Sequence, residues 1–114
     1  MYFVYIVKCC DETLYTGIAK NVCARIKQHY YKQDGCAKYT RSRGIKEVEA
    51  VWRCEDRRAA SKLEYFIKKL KRSDKEKLIK CSGSLPALSG LENADQYRFI
   101  NNINLKICLE NDRV

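Results

Sequence analysis

Residues 2–18 read Tyr2-Phe3-Val4-Tyr5-Ile6-Val7-Lys8-Cys9-Cys10-Asp11-Glu12-Thr13-Leu14-Tyr15-Thr16-Gly17-Ile18. The first six are all aromatic or β-branched, which is the pattern of a central strand covered on both faces. Cys10-Asp11-Glu12 is a polar turn. Thr13 to Ile18 reads as a second strand, with Leu14, Thr16 and Ile18 on one face and Tyr15 on the other. A three-residue turn pairs Cys9 with Thr13 and therefore sets Tyr5 opposite Gly17. Tyr5 and Tyr15 then project from the same face of the hairpin. Gly17 removes a side chain where a ring or a phosphate would need room.

Beyond the hairpin, Asn21 is a good N-cap, and Val22, Ile26 and Tyr30 recur every four residues, which predicts a helix ending near Lys32. Residues 35–46 carry four cations, no acid and two glycines, and read as an exposed basic loop. In Glu47 to Cys54, Val48, Ala50 and Trp52 alternate with polar neighbours, the signature of a third strand. Asp56 caps a helix in which Leu63, Phe66, Ile67 and Leu70 fall at i, i+3, i+4 and i+7. Ser73 and Glu76 form a capping box for one more short helix through Ile79. The expected fold is α+β: a small three-stranded antiparallel sheet flanked by helices, in the order β-β-α-β-α-α. It occupies residues 1–80. Residues 81–114 then read as a linker rich in Ser, Gly and Pro followed by a C-terminal tail. In that tail the alternation of Ile103, Leu105, Ile107 and Leu109 suggests a strand that docks on the domain or on a second chain.

A chain of 114 residues has room for one domain and excludes a two-domain enzyme with its own cofactor fold. The longest apolar run is far shorter than the roughly 20 residues that span a bilayer, so neither a membrane span nor a secretory signal is expected. Lys and Arg number 23 against 14 Asp and Glu, a net +9. The excess is confined to residues 1–80, with 20 basic and 10 acidic side chains; residues 81–114 hold 3 and 4. A basic module with a near-neutral tail suggests a polyanionic partner. The seven cysteines show no disulfide framework and no Cys-x-x-Cys spacing, so a reducing, cytoplasmic compartment is expected. With His29 as the single histidine, a tetrahedral zinc site is disfavoured.

At about 100° per residue, Arg25 lies to the side of the first helix's apolar stripe, and His29 follows one turn later on the same flank. Glu64 takes the equivalent border position beside Ile67 in the later helix. Each has its stem on the core and its head at the surface.

Val4-Tyr5-Ile6 followed by Tyr15-Thr16-Gly17 resembles the two half-motifs that name the GIY-YIG nuclease family. Arg25 stands where that family carries an arginine in the following helix, His29 where a His or Tyr follows one turn on, and Glu64 where a metal-binding glutamate opens a later helix. Together with Lys38-Tyr39-Thr40 in the basic loop, the chain looks most like the small stand-alone UPF0213 branch, which resembles structure-selective nucleases. Val4 replaces the glycine of the first triplet and Thr16 the isoleucine of the second. Ile18 stands where many members have a lysine, a loss that would either lower activity or leave the role to Lys20 or Lys38, and Glu76 stands where some have an asparagine.

The resemblance implies a metal-dependent endonuclease that hydrolyses DNA phosphodiesters in repair or recombination. One Mg²⁺ or Mn²⁺ ion would be held by Glu64, with water and DNA completing its shell. Arg25 would meet the charge that builds on the attacked phosphate. Tyr5 would act as general base or water positioner, with Tyr15 and His29 hydrogen-bonding around it. An ordinary phenol, with a pKa near about 10, needs help from Arg25, His29 or the metal to do this. Lys38, Arg41, Arg43 and Lys46 can track phosphates while Tyr39 stacks on an unpaired base, which favours branched, flapped or nicked DNA over a base sequence. The alternative, motivated by Ile18 and Glu76, is a catalytically weak or inactive nucleic-acid-binding module with the same fold. A third reading is an adaptor whose tail binds a protein partner or a second copy.

Overall fold

The computed structural model describes residues 1–32, 44–80, 97–100 and 103–110. Strands β1 (Tyr2–Cys9) and β2 (Leu14–Ala19) form the hairpin, followed by helix α1 (Val22–Tyr30) and strand β3 (Ile45–Cys54). Helices α2 (Arg57–Lys69) and α3 (Arg72–Lys80), strand β4 (Tyr97–Ile100) and helix α4 (Leu105–Glu110) complete the order.

The hairpin takes the register its turn length requires. Cys9 N–H donates to Thr13 O at 2.8 Å, Glu12 adopts the left-handed conformation at φ 69°, and Tyr5 pairs with Gly17. Asn21 Oδ1 accepts from Ala24 N at 3.0 Å, and Asp56 Oδ1 from Ala59 N at 2.8 Å. Each cap satisfies one of the helix-start donors and is worth about 1 kcal/mol. The expected capping box at Ser73 does not form. Helix α3 already includes Arg72, whose Nε donates to Glu76 Oε1 at 2.9 Å, while the Lys71 carbonyl receives Asp74 and Lys75 N–H.

The sheet has four strands, not three, in the antiparallel order β2-β1-β3-β4. The expected three-stranded sheet would have left the outer edge of β3 unpaired. Residues Tyr97–Ile100 cover its last four positions, with Cys54 opposite Tyr97 and Val51 opposite Ile100, which pairs N–H and C=O groups that would otherwise be bare there. Tyr97 Oη also donates to Ala59 O at 3.0 Å, tying β4 to the start of α2. The segment expected as a strand over 103–109 is instead α4. Asn104 Oδ1 accepts from Ile107 N at 2.9 Å, and Cys108 is buried while Ile107 faces outward.

Two layers of core lie on opposite faces of the sheet. Val4, Ile6, Ala50 and Trp52 pack against Ala59, Ala60, Leu63 and Ile67 of α2 and Leu78 of α3. Tyr5, Val7, Val48 and Val51 pack against Val22 and Ile26 of α1 and Cys108 of α4. Val48 therefore does not share a face with Ala50 and Trp52. Ile6 opposes Ala50 but Val7 opposes Val48, so Glu49 is an extra residue, a β-bulge that inverts the alternation beyond it.

Candidate active site

Strand β2 is a sheet edge, with α1 and α2 on opposite faces beside it. Tyr5, on the neighbouring central strand, sends its phenol across Gly17. A Cβ at Gly17 would lie 2.5 Å from Tyr5 Oη and 2.7 Å from Cζ, so only glycine leaves the ring its place. Tyr5 Oη hydrogen-bonds His29 Nε2 at 2.8 Å. Tyr15 closes a three-ring cluster, with centroids 6.5 Å from Tyr5 and 5.7 Å from His29.

Burial sets the electrostatics of this cluster. Tyr5 and His29 are both completely buried. Desolvation is the main cause that pushes the Tyr5 pKa well above the ordinary phenol value. Hydrogen bonding and charge from Arg25 oppose the rise, and the nearby Tyr15 and Glu64 add to it. Desolvation first, then the Arg25 guanidinium, lowers His29 to about 4, so its imidazole is neutral at pH 7. The expectation that His29 lies on a surface flank beside Arg25 is corrected. The last turn of α1 is capped by the two phenol rings, which seal the imidazole from water. Arg25 remains half-buried. Its Nη1 donates to Gln28 Oε1 at 2.5 Å, and the two line an open cleft of about 560 Å³ with Ile18, Ala19, Lys20, Asn21 and Ala24.

Glu64 approaches from the other face of the sheet. Its side chain is 26% exposed, and Oε2 lies 3.3 Å from Lys68 Nζ. That ammonium sits 6.0 Å from the Tyr15 ring centroid. Lys68 was not singled out from the sequence; its i+4 spacing from Glu64 and its place one turn along the same border were the available signal. It brings a cation to the rim of the cluster, where Ile18 offers none. Glu76 stands apart, paired with Arg72 beside a separate cavity lined by Lys8, Leu14 and Glu49.

Of the expected DNA-binding residues, Lys38, Tyr39, Arg41 and Arg43 lie outside the described residues. Lys46 is described, and it sits at a second irregularity of β3 next to Cys9. Its ammonium is paired with Glu12, not gathered with the Tyr5 cluster, and that contact is the main cause holding the Glu12 carboxyl below its usual range. Among the described residues no helix is long and apolar enough to cross a membrane.

Comparison with known proteins agrees with the motif reading. Residues 1–78 match the GIY-YIG catalytic domain. The UPF0213 protein DP2720 of Desulfotalea psychrophila is 51% identical over 83 residues, covering 71% of this chain and 73% of that protein. The UPF0213 protein CPE1444 of Clostridium perfringens is 49% identical over 80 residues, 69% and 83% of the two chains. A solution NMR structure of the UPF0213 protein BH0048 from Bacillus halodurans is 37% identical. It covers 81% of this chain and 98% of that one with a TM-score of 0.47. The motif triplets, the matched span and the relatives agree: this chain belongs to the GIY-YIG family of nucleases, on its stand-alone UPF0213 branch.

Proposed function

We propose that the chain is a divalent-metal-dependent endonuclease that hydrolyses DNA phosphodiester bonds, selects branched, flapped or nicked DNA by shape, and serves repair or recombination. The observation that carries this reading is the meeting of Tyr5, Tyr15 and His29 with the Arg25 guanidinium and the Glu64 charge at one sheet edge.

The donor set fits a hard cation. Glu64 offers one partly exposed carboxylate, and among the described residues no three His, Cys, Asp or Glu side chains gather. One carboxylate completed by water and phosphate oxygens is a coordination that Mg²⁺ accepts. When bound there, the cation supplies Lewis-acid stabilisation of the phosphoryl and leaving oxygens.

The chain's own residues do the rest. Arg25 turns its guanidinium toward the phosphate and stabilises the charge of the transition state. Tyr5 cannot serve as a ready phenolate, because burial raises its pKa. The His29 imidazole 2.8 Å away instead fixes the phenol by a hydrogen bond, so that Tyr5 Oη orients the attacking water without first becoming a phenolate. Because Tyr5 is completely buried, water reaches its oxygen only after a neighbour moves, and Arg25, which acts on the phenol by hydrogen bonding and charge, is the neighbour proposed to move. Lys68, beside Glu64 and Tyr15, supplies the ammonium that Ile18 lacks.

The burial of Tyr5 also favours the second reading, a nucleic-acid-binding module with little catalysis. Incubation with branched and linear DNA in Mg²⁺, Mn²⁺ or EDTA, beside Glu64→Ala and Arg25→Ala, separates the two. The nuclease requires metal-dependent cutting that falls by about 100-fold or more in Arg25→Ala and is lost in Glu64→Ala. Binding without cutting, unchanged in Glu64→Ala, leaves the binding module.

A further inference from the structure

Cysteine spacing gives no framework, and Cys23 and Cys108 are separated by most of the chain. The fold nevertheless puts their sulfurs 2.7 Å apart, well inside the van der Waals separation of two thiols. Cys23 is on the first turn of α1 and is partly exposed. Cys108 is on α4 and is fully buried. Helix α4 is seated there by independent contacts, since Glu47 Oε1 accepts from Leu105 N at 3.0 Å and Ile103 and Leu105 pack on the α1-side core. The sulfurs need to close by only about 0.7 Å to reach the covalent distance of about 2.0 Å.

We propose that Cys23 and Cys108 are a redox modification site: a reversible disulfide that fastens the C-terminal helix α4 onto α1, the helix that carries Arg25 and His29. The oxidant class is a hydroperoxide, with hydrogen peroxide the simplest member. The Cys23 thiolate attacks one peroxide oxygen, the O–O bond breaks, and Cys23 sulfenic acid and hydroxide form. Cys108 Sγ then attacks the Cys23 sulfur, and its thiol proton leaves with the displaced hydroxide as water. In total two thiols and one peroxide give one disulfide and two waters, and a dithiol reductant reverses the change. The order of events follows from burial. Desolvation first, then the contact with Cys23, raises the Cys108 thiol to about 12, so Cys108 reacts through Cys23 and not with the oxidant directly. In a reducing compartment such a bond is a transient sensor and not a structural staple.

The test uses the full chain and equimolar hydrogen peroxide. The expected result is a Cys23–Cys108 cross-link that forms before any other intramolecular pair in peptide maps, with a thiol titre that falls by two and recovers with dithiothreitol. Under native conditions tryptic cleavage after Lys106, exposed on α4, slows on oxidation. In Cys108→Ser the sulfenic acid persists at Cys23 and is trapped by dimedone; if that variant does not fold, the wild-type map alone decides. Peroxide oxidation of other cysteines with no Cys23–Cys108 link, or a link that forms only in urea, overturns the assignment. A link that leaves cleavage after Lys106 unchanged overturns the fastening of α4.

Discussion

Replacing Gly17 with alanine is the sharpest test of how Tyr5 is held. In an ordinary strand the exchange would favour the folded state by about 0.5–1 kcal/mol, because alanine has less backbone entropy to lose. Here the new Cβ would stand 2.5 Å from Tyr5 Oη, 2.7 Å from Cζ and 3.2 Å from Tyr15 Cε2. These distances fall short of ordinary carbon contact at about 3.5–4.0 Å. A loose phenol would swing away at little cost, but this one is completely buried and bonded to His29 at 2.8 Å. Overpacking at such a site costs about 1–3 kcal/mol, and breaking the hydrogen bond adds about 1 kcal/mol. Set against the backbone gain, these costs leave Gly17→Ala less stable by about 1–3.5 kcal/mol, reversing the sign that propensity alone would give. Urea unfolding followed through Trp52, the single tryptophan, measures the loss. The same substitution in a Tyr5→Leu background lacks both close atoms and should cost less than about 1 kcal/mol. Equal costs in the two backgrounds would refute the argument, since the penalty would then have nothing to do with the phenol.

Three further outcomes are expected. His29 stays neutral in the folded chain down to about 4, against 6.5 for an ordinary imidazole. Between those values the unfolded state binds more protons, so stability is lost as pH falls, by about 2 kcal/mol at pH 5 and about 3 kcal/mol at pH 4. Urea titrations from pH 7 to 4 should show this slope flattened in His29→Gln, and parallel wild-type and variant curves would rule it out. Lys68→Met should lower DNA cleavage by about tenfold or more while Lys69→Met leaves it unchanged, as read by initial rates on one branched substrate. Tyr97→Phe removes the bond to Ala59 O and should lower unfolding stability by about 1 kcal/mol; no change in the urea midpoint would mean that β4 is not held through this hydroxyl.

Local physics made much of the fold legible. A polar three-residue turn determines which residues face each other, so the Tyr5–Gly17 pairing followed from counting. Asn21 and Asp56 announced helix starts because their side chains do the capping. What stayed hidden depends on partners distant in the chain. The bulge at Glu49 sends Val48 to the opposite core from Ala50, and no periodicity within β3 reveals an extra residue. Tyr97-Arg98-Phe99-Ile100 has strand-forming composition, but only the bare edge of β3 gives it something to pair with. Alternating apolar residues over 103–109 fit a strand, yet the Asn104 cap and the pocket at Cys108 decide for a helix. His29 lies on the helix flank where counting puts it. Its burial comes from two tyrosines on other strands, and that also governs its proton affinity.

The place where the candidate site residues gather follows from the sheet order. Helix α1 lies on one face and α2 on the other, so side chains from the two can approach a common point only around an edge. The edge strand β2 is that place, and α2 packs against both β2 and β1. Arg25 and His29 arrive from one side, Glu64 and Lys68 from the other, and Tyr5 reaches across from the central strand because Gly17 leaves a gap. A strand added beside β2 would cover this meeting point. The fourth strand extends the sheet from β3 instead, at the opposite edge. Among the described residues the tail therefore enlarges the sheet at the edge opposite β2, and the β2 edge is where the proposed function requires a phosphate backbone to approach.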